Sequence, residues 1–178
     1  MIILGVDPGT QFTGFGIINY KNNLLSYIHS GVISLQKDKS IPEKLEVIYN
    51  KINSLIKEFH PDEFALETAF YGKNVQSALK IGYARGVAML ASAHNNLVVG
   101  EYSPREVKKS VVGNGNASKE QVQFMIFKLL SMKETNIKFD ETDALAVAVC
   151  HAFNINSPAK GSSSWKKFID KNPHLVES

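Results

Sequence analysis

Cysteine is nearly missing from these 178 residues: Cys150 stands alone, inside the apolar run ALAVAVC. One thiol makes neither a disulfide framework nor a multi-cysteine metal site, so a reduced, cytoplasmic setting is the expectation. No stretch approaches the roughly 20 apolar residues that a membrane span needs, and no membrane partner is expected. The N-terminal apolar run stops at Asp7 with no basic lead, which does not read as a signal peptide. Charge of one sign is also scarce. Twenty Lys and Arg against 17 Asp and Glu leave a formal +3, which permits a polyanionic partner without demanding one. The five histidines (His29, His60, His94, His151 and His174) show no metal-ligand spacing, and there is no internal repeat.

What is present is apolar residue in quantity, 44% of the chain, in a length that suits one well-cored domain. Residues 2–6, 12–19 and 24–35 read as strands, linked closely enough for an antiparallel meander. The period then changes. Ile41, Leu45, Ile48, Ile52, Leu55, Ile56 and Phe59 recur at helical spacing behind a Ser40/Glu43 capping box, and Pro61 ends the run. EFALE, 63–67, reads as a short buried strand, 73–95 as a helix and 96–102 as another strand. Strands and helices alternate from there, as in a parallel arrangement. Ser103 with Glu106 and Ser118 with Gln121 open two further helices around the break GNGN, and a last helix covers about 140–153. From Asn156 the chain is rich in Ser, Gly, Pro and Lys. Residues 1–155 are therefore expected to form the domain and 156–178 a mobile tail, in which Trp165, Phe168 and Ile169 could make one docking turn.

The acidic residues carry the first chemical signal. Strand alternation puts Ile3, Gly5 and Asp7 on one face and Ile2, Leu4 and Val6 on the other. Asp7 and Glu67 both end strands, where open α/β sheets hold their ligands. Asp140 and Asp143, three apart, share one side of the last helix, and Ala144 and Ala148 are small enough to let that helix lie close on a sheet. Were these elements neighbours, four carboxylates would converge, and like charges at that range raise one another's pKa unless a cation intervenes. Oxygen-only donors favour Mg²⁺, with Mn²⁺ as a substitute, over zinc. Two such ions roughly 4 Å apart can activate a water against a phosphodiester. Gly9, Gly14 and Gly16 would allow close approach to such a site. Each residue alone has an ordinary reading: Asp7 an Asp-Pro-Gly turn, Glu67 a solvated strand end, Asp140 a helix N-cap with Asp143 in the first turn. Only the combination points to catalysis.

The basic and aromatic residues carry the second. Lys73, Lys80, Arg85, Arg105, Lys108, Lys109 and Lys119 make the centre of the chain more basic than the whole. Lys119 follows the N-cap Ser118, so free N–H groups and an ammonium would face one anion. Phe70 and Tyr71, just past Glu67, could stack on exposed bases, although core packing is the commoner role of such residues. Gly82, Gly86 and Ala93 smooth one helix face, for sheet packing or for a dimer seam. His151 reads as structural.

GVDPGTQFTGFGII, ALETAFYGKN, ALKIGYARG, VKKSVVGNGNASKEQV and DETDALAVAVCH follow in the order and spacing of the bacterial RuvC family of Holliday junction resolvases, which residues 1–155 resemble. The resemblance implies a ribonuclease H-like α/β fold, with a five-stranded mixed sheet flanked by helices on both faces. It further implies a homodimer that cuts a four-way DNA junction with paired symmetric nicks in recombination and repair, using Mg²⁺. The family's acidic tetrad falls on Asp7, Glu67, Asp140 and Asp143. Its junction-contacting aromatic falls on Phe70 and its functional lysines on Lys108 and Lys119. Some relatives carry histidine at the third acidic position, where this chain keeps aspartate. The RuvA–RuvB complex is a partner by analogy alone. The expected sites are thus catalytic Asp7, Glu67, Asp140, Asp143 and Lys119, the four carboxylates holding two metal ions, with Phe70, Tyr71, Lys73, Arg85, Lys108 and Lys119 on DNA. Two other classes stay open. An actin-like or sugar-kinase-like ATPase shares the strand-Asp-x-Gly turn but needs two such domains, and a non-catalytic junction or RNA binder could use the same fold.

Overall fold

A computed structural model of the chain describes residues 1–68, 75–133 and 137–155. Phe70, Tyr71, Lys73 and the 156–178 tail with Trp165 lie outside the described residues. Five strands form one sheet: β1 (Ile2–Asp7), β2 (Phe12–Lys21), β3 (Leu24–Ser34), β4 (Glu63–Glu67) and β5 (Val99–Tyr102), in the order β3-β2-β1-β4-β5. β1 pairs antiparallel with β2 and β2 with β3; β1 pairs parallel with β4 and β4 with β5. The meander and the parallel half expected from the sequence are therefore both present, and the five-stranded sheet is mixed, as the resemblance implies. Two positive-φ asparagines, Asn22 and Asn23, turn the β2–β3 hairpin, since Asn tolerates the left-handed region better than most residues.

Two helices cover one face. α1 (Ile41–Phe59) and α2 (Val75–His94) pack their Ile48, Ile52, Leu55, Ala84, Ala88 and Ala91 against Leu4, Val6, Phe15, Ile17, Phe64 and Leu66. Ser40 opens α1 by donating its N–H (2.8 Å) and hydroxyl (2.6 Å) to the Glu43 carboxylate, and His60 closes it in a left-handed conformation just before Pro61. The other face carries α3 (Pro104–Val112), α4 (Lys119–Leu129) and α5 (Phe139–Ile155), packed on Ile3, Ile18 and Ala65. Capping boxes at Ser103/Glu106 and Ser118/Gln121 start α3 and α4, as their spacing predicts.

α5 lies on the sheet at unusually close range, and the sequence provides for it on both sides. The antiparallel register sets Gly5 opposite Gly16 and Asp7 opposite Gly14. A Cβ on Gly5 would strike the backbone and side chain of Ala144 and Ala148; one on Gly14 would strike the Asp140 carbonyl; one on Gly16 would strike Leu145. Gly14 and Gly16 thus admit a helix, not a substrate. Gly9 has another role, since its missing side chain clears the Phe12 carbonyl within the β1–β2 loop.

The small residues of α2 divide differently from the sheet-packing expectation. Ala84, Ala88 and Ala91 face the sheet, while Ala93 is exposed and Gly82 and Gly86 face open space, with nothing within 4 Å of a Cβ built on either glycine.

Candidate active site

The register that places α5 also gathers the acids. Asp7 ends β1, and the parallel pairing that sets Val6 beside Leu66 makes Asp7 and Glu67 the next neighbours along the two strands. Their carboxyls share a hydrogen bond. Gly14, opposite Asp7, touches the Asp140 backbone, so the first turn of α5 stands directly over the strand end. Asp140 and Asp143 add their fields to Asp7 from that turn. Lys119, the first residue of α4, donates from Nζ to Asp143 Oδ2 at 2.7 Å. Residues far apart in sequence are therefore brought to one end of the sheet: Asp7 against Glu67, Asp143 against Lys119, and Asp140 near enough to act on the Asp7 charge.

Asp140 is not the N-cap of α5. The helix begins one residue earlier, with Asp140 inside the first turn. The carboxylate that reaches back is Glu141, which accepts from the Lys138 N–H at 3.4 Å and from the Ser30 hydroxyl on β3 at 2.9 Å. Glu141 pins the helix start to the sheet, and Asp140 is left for the cluster. Lys138 lies over the Phe12 ring, 5.7 Å from its centroid, and ties the same helix start to β2. Sequence reading missed Glu141 and Ser30. The only signal available was an acid three residues after Lys138, a capping spacing masked by two neighbouring aspartates.

Electrostatics set the state of the cluster. Burial raises the Asp7 pKa; the Glu67 hydrogen bond and Lys119 work against that rise, while Asp143 and Asp140 add to it. Burial, then the charge and hydrogen bond of Asp7, push Glu67 up to about 10. The pair therefore holds a proton near neutrality, because two buried like charges in contact cannot both ionise. Lys119 is raised, first by its hydrogen bond to Asp143. A set of acids that keeps a proton for want of positive charge is a set that a divalent cation would stabilise, and its oxygen-only donors suit a hard one. Among the described residues no three such side chains stand close enough to enclose an ion; Asp7 and Glu67 hold each other, and Asp143 holds Lys119.

The other expected positions lie apart from this cluster. Arg85 on α2 forms an ion pair with Glu101 on β5, across the edge of the sheet. Lys108 is half-buried on α3 and makes no ion pair among the described residues. His151 is structural, as read: it is buried, shares a 2.8 Å hydrogen bond with the Tyr102 hydroxyl through Nδ1, and sets Nε2 3.6 Å from Glu63.

The family model described as crossover junction endodeoxyribonuclease RuvC matches residues 3–151. The chain belongs to the RuvC family. The RuvC of Cytophaga hutchinsonii is 48% identical over 177 residues, covering 99% of this chain and 88% of that protein. The RuvC of Bacteroides fragilis is 42% identical, covering 99% and 96%. Both alignments run past residue 155, so RuvC relatives match the tail as well as the domain. The structure of Thermus thermophilus RuvC in complex with a Holliday junction substrate superposes with a TM-score of 0.82 at 29% identity, covering 87% of this chain and 94% of that one. RuvC nucleases are metal-dependent enzymes. No helix among the described residues is long and apolar enough to cross a membrane.

Proposed function

We propose that this chain is the nuclease that resolves four-way DNA junctions, cutting opposed strands symmetrically by attack of water on a phosphodiester in a Mg²⁺-dependent reaction. The observation that supports this reading is the Asp7–Glu67 contact at one strand end, with Asp140 and Asp143 near enough to act on the Asp7 charge, in a chain of the RuvC family. These four would hold the metal, two ions per site, with Mn²⁺ as a substitute. When bound, the ions lower the pKa of a water and neutralise charge developing on the phosphate. The chain's own contribution is placement. β1 and β4 set Asp7 and Glu67 side by side at the end of the sheet, and the glycine face lets the start of α5, with Asp140 and Asp143, approach that end. The Lys119 ammonium, anchored on Asp143, puts fixed positive charge at the rim, where it stabilises the extra negative charge of the transition state.

Phe70, Tyr71, Lys73 and Lys108 are proposed DNA contacts. Arg85 could join them only by leaving Glu101. The homodimer has structural support. Val75, Leu79, Tyr83 and Leu90 are exposed along one side of α2, beside the open Gly82 and Gly86, in the spacing of a helix–helix seam. Two-fold pairing would set two active sites at one separation and yield paired nicks. RuvA–RuvB is a partner by family relation, and we take 1–155 as the nuclease domain and 156–178 as its tail, in the cytoplasm. A non-catalytic junction or RNA binder would gain nothing from gathering four carboxylates against a polyanion.

The test is a synthetic four-way junction and a matched duplex, each with Mg²⁺, with Ca²⁺ and with chelator. Symmetric nicks on the junction, with Mg²⁺ alone, are expected. Equal cutting of the duplex, or full activity in chelator, would overturn the reading.

A further inference from the structure

On the α1/α2 side of the sheet a cleft of about 520 Å³ opens beside the catalytic strand end. Its wall begins at Gly9, two residues past Asp7, and runs through Gln11. The Gln11 carbonyl accepts from the Leu35 N–H at 2.8 Å, which pins that loop to the end of β3. Four lysines from separate elements line the cleft: Lys37 and Lys39 from the β3–α1 connection, Lys44 from α1 and Lys80 from α2. No carboxylate is among the described lining residues, so the cleft alone carries a formal +4, more than the +3 of the whole chain. None of the four lysines forms an ion pair among the described residues. Glu43 is engaged by Ser40 and feels Lys39 only at a distance, and Asp38, between Lys37 and Lys39 in the chain, is exposed and outside the lining. Self-repulsion of this kind, held beside a reaction centre for phosphodiesters, calls for an anion from outside.

We propose that this cleft is a second backbone site, which grips phosphates of the DNA strand a few nucleotides from the scissile bond and sets how that strand meets Asp7. The proposal rests on the nuclease reading above and adds to it a contact surface on the face of the sheet opposite Lys119. The chemistry favours a continuous backbone over a free nucleotide. No aromatic side chain is among the described lining residues to take a base. At the N-terminus of α1, the obvious cradle for a terminal phosphate, the Glu43 carboxylate already supplies negative charge. What remains is long ammonium side chains over an aliphatic floor of Leu35, Leu45, Ile48 and Ala84, a surface that lets lysine stems lie flat and track a polyanion.

The experiment measures binding of a labelled synthetic four-way junction in chelator, across a range of salt, so that cleavage plays no part. Lys44→Gln with Lys80→Gln removes two charges from the cleft. Lys21→Gln with Lys57→Gln removes two charges elsewhere. The cleft pair should weaken binding and flatten the dependence of log affinity on log salt by about 1 to 2, since each lost phosphate contact removes about 0.7–0.9 of slope. The control pair should leave both at the wild-type level. Methylphosphonates placed singly along the strands locate the contact: the wild type should lose affinity at one or two positions near the nick, and the cleft variant should lose nothing further there. Identical behaviour of the two pairs, or losses that simply add at every position, would overturn the proposal. So would pyrophosphate that binds through Lys44 and Lys80 without competing with the junction. Failure of the wild type to bind or nick a junction at all would instead sink the nuclease reading, which keeps the two outcomes distinct.

Discussion

Where α5 crosses β1 and β2 the sheet offers glycine; where α1 and α2 cover the opposite face it offers leucine, isoleucine, valine and phenylalanine. The first contact is a backbone-to-backbone approach at the glycines, set within a core of Ile3, Ile18, Leu145 and Val149, and it carries the polar machinery at its end. The second is ordinary aliphatic interdigitation, in which each fully buried Leu, Ile or Val contributes about 1.5–3 kcal/mol. The difference assigns separate tasks. Both faces hold the domain together, and the glycine face also decides where Asp140 and Asp143 stand relative to Asp7 and Glu67. Damage to the aliphatic face should read out as stability alone, and damage at the glycines as turnover as well.

The largest effect separates the two tasks outright. Asp7→Asn should lower junction cleavage by about a thousandfold or more, the scale of losing a group that acts only in the reaction. It should leave junction binding in place, because phosphate contacts dominate affinity. Burial already disfavours the Asp7 charge, so the variant should melt no lower than wild type. Gel-based cleavage, binding in chelator and a thermal melt check the three parts; loss of folding alongside activity would erase the contrast. Ile52→Ala, on the aliphatic face, should do the reverse. Ile52 is fully buried, and the truncation should cost about 2–5 kcal/mol in urea unfolding, with turnover per folded molecule unchanged.

Gly14→Ala tests the seam between the two. One methyl there falls on the Asp140 carbonyl, so the start of α5 must lift. A stability loss of about 1–3 kcal/mol is expected, as for other overpacked sites. Unlike Ile52→Ala, it should also slow cleavage, because the displaced turn carries two of the four acids. A variant that loses stability but keeps full turnover would show that the close approach serves packing alone.

Much of this was legible in the residues, for physical reasons. Strand alternation put Asp7 on the face of Gly5 and Ile3, and it lies there, because side chains of one strand cannot change faces without a slip in register. The capping boxes at Ser40, Ser103 and Ser118 are local chemistry and were readable as such. What escaped depends on tertiary neighbours. The roles of Gly14 and Gly16 needed the identity of the element above them. The division of α2 into an alanine face and an open glycine face needed the sheet as reference. Arg85 reads as one more basic residue until Glu101, sixteen positions on, arrives beside it across the sheet edge. The ordinary cap alternative for Asp140 went by position, whereas the helix starts one residue sooner with Glu141 reaching back.

The smallest effect concerns the far end of α5, where its packing on the sheet becomes polar without becoming catalytic. His151 is buried between Tyr102 on β5 and Glu63 on β4, and it seats over Gly100. Burial lowers its pKa, and Glu63 only partly offsets that. The folded protein therefore binds less proton at this ring than the unfolded chain does. Stability from the neutral ring is complete above the unfolded value of about 6.5 and declines as pH falls from there toward the lower folded value. His151→Gln cannot take the proton, so its melting temperature should fall less between pH 7.5 and 5 than that of wild type. The other histidines contribute equally to both proteins and cancel in the difference. A wild type that instead gains stability relative to the variant as pH falls would mean that the ion pair with Glu63 outweighs burial. The α5–sheet contact would then be held at this end by charge, where the present reading has it held at both ends by fit.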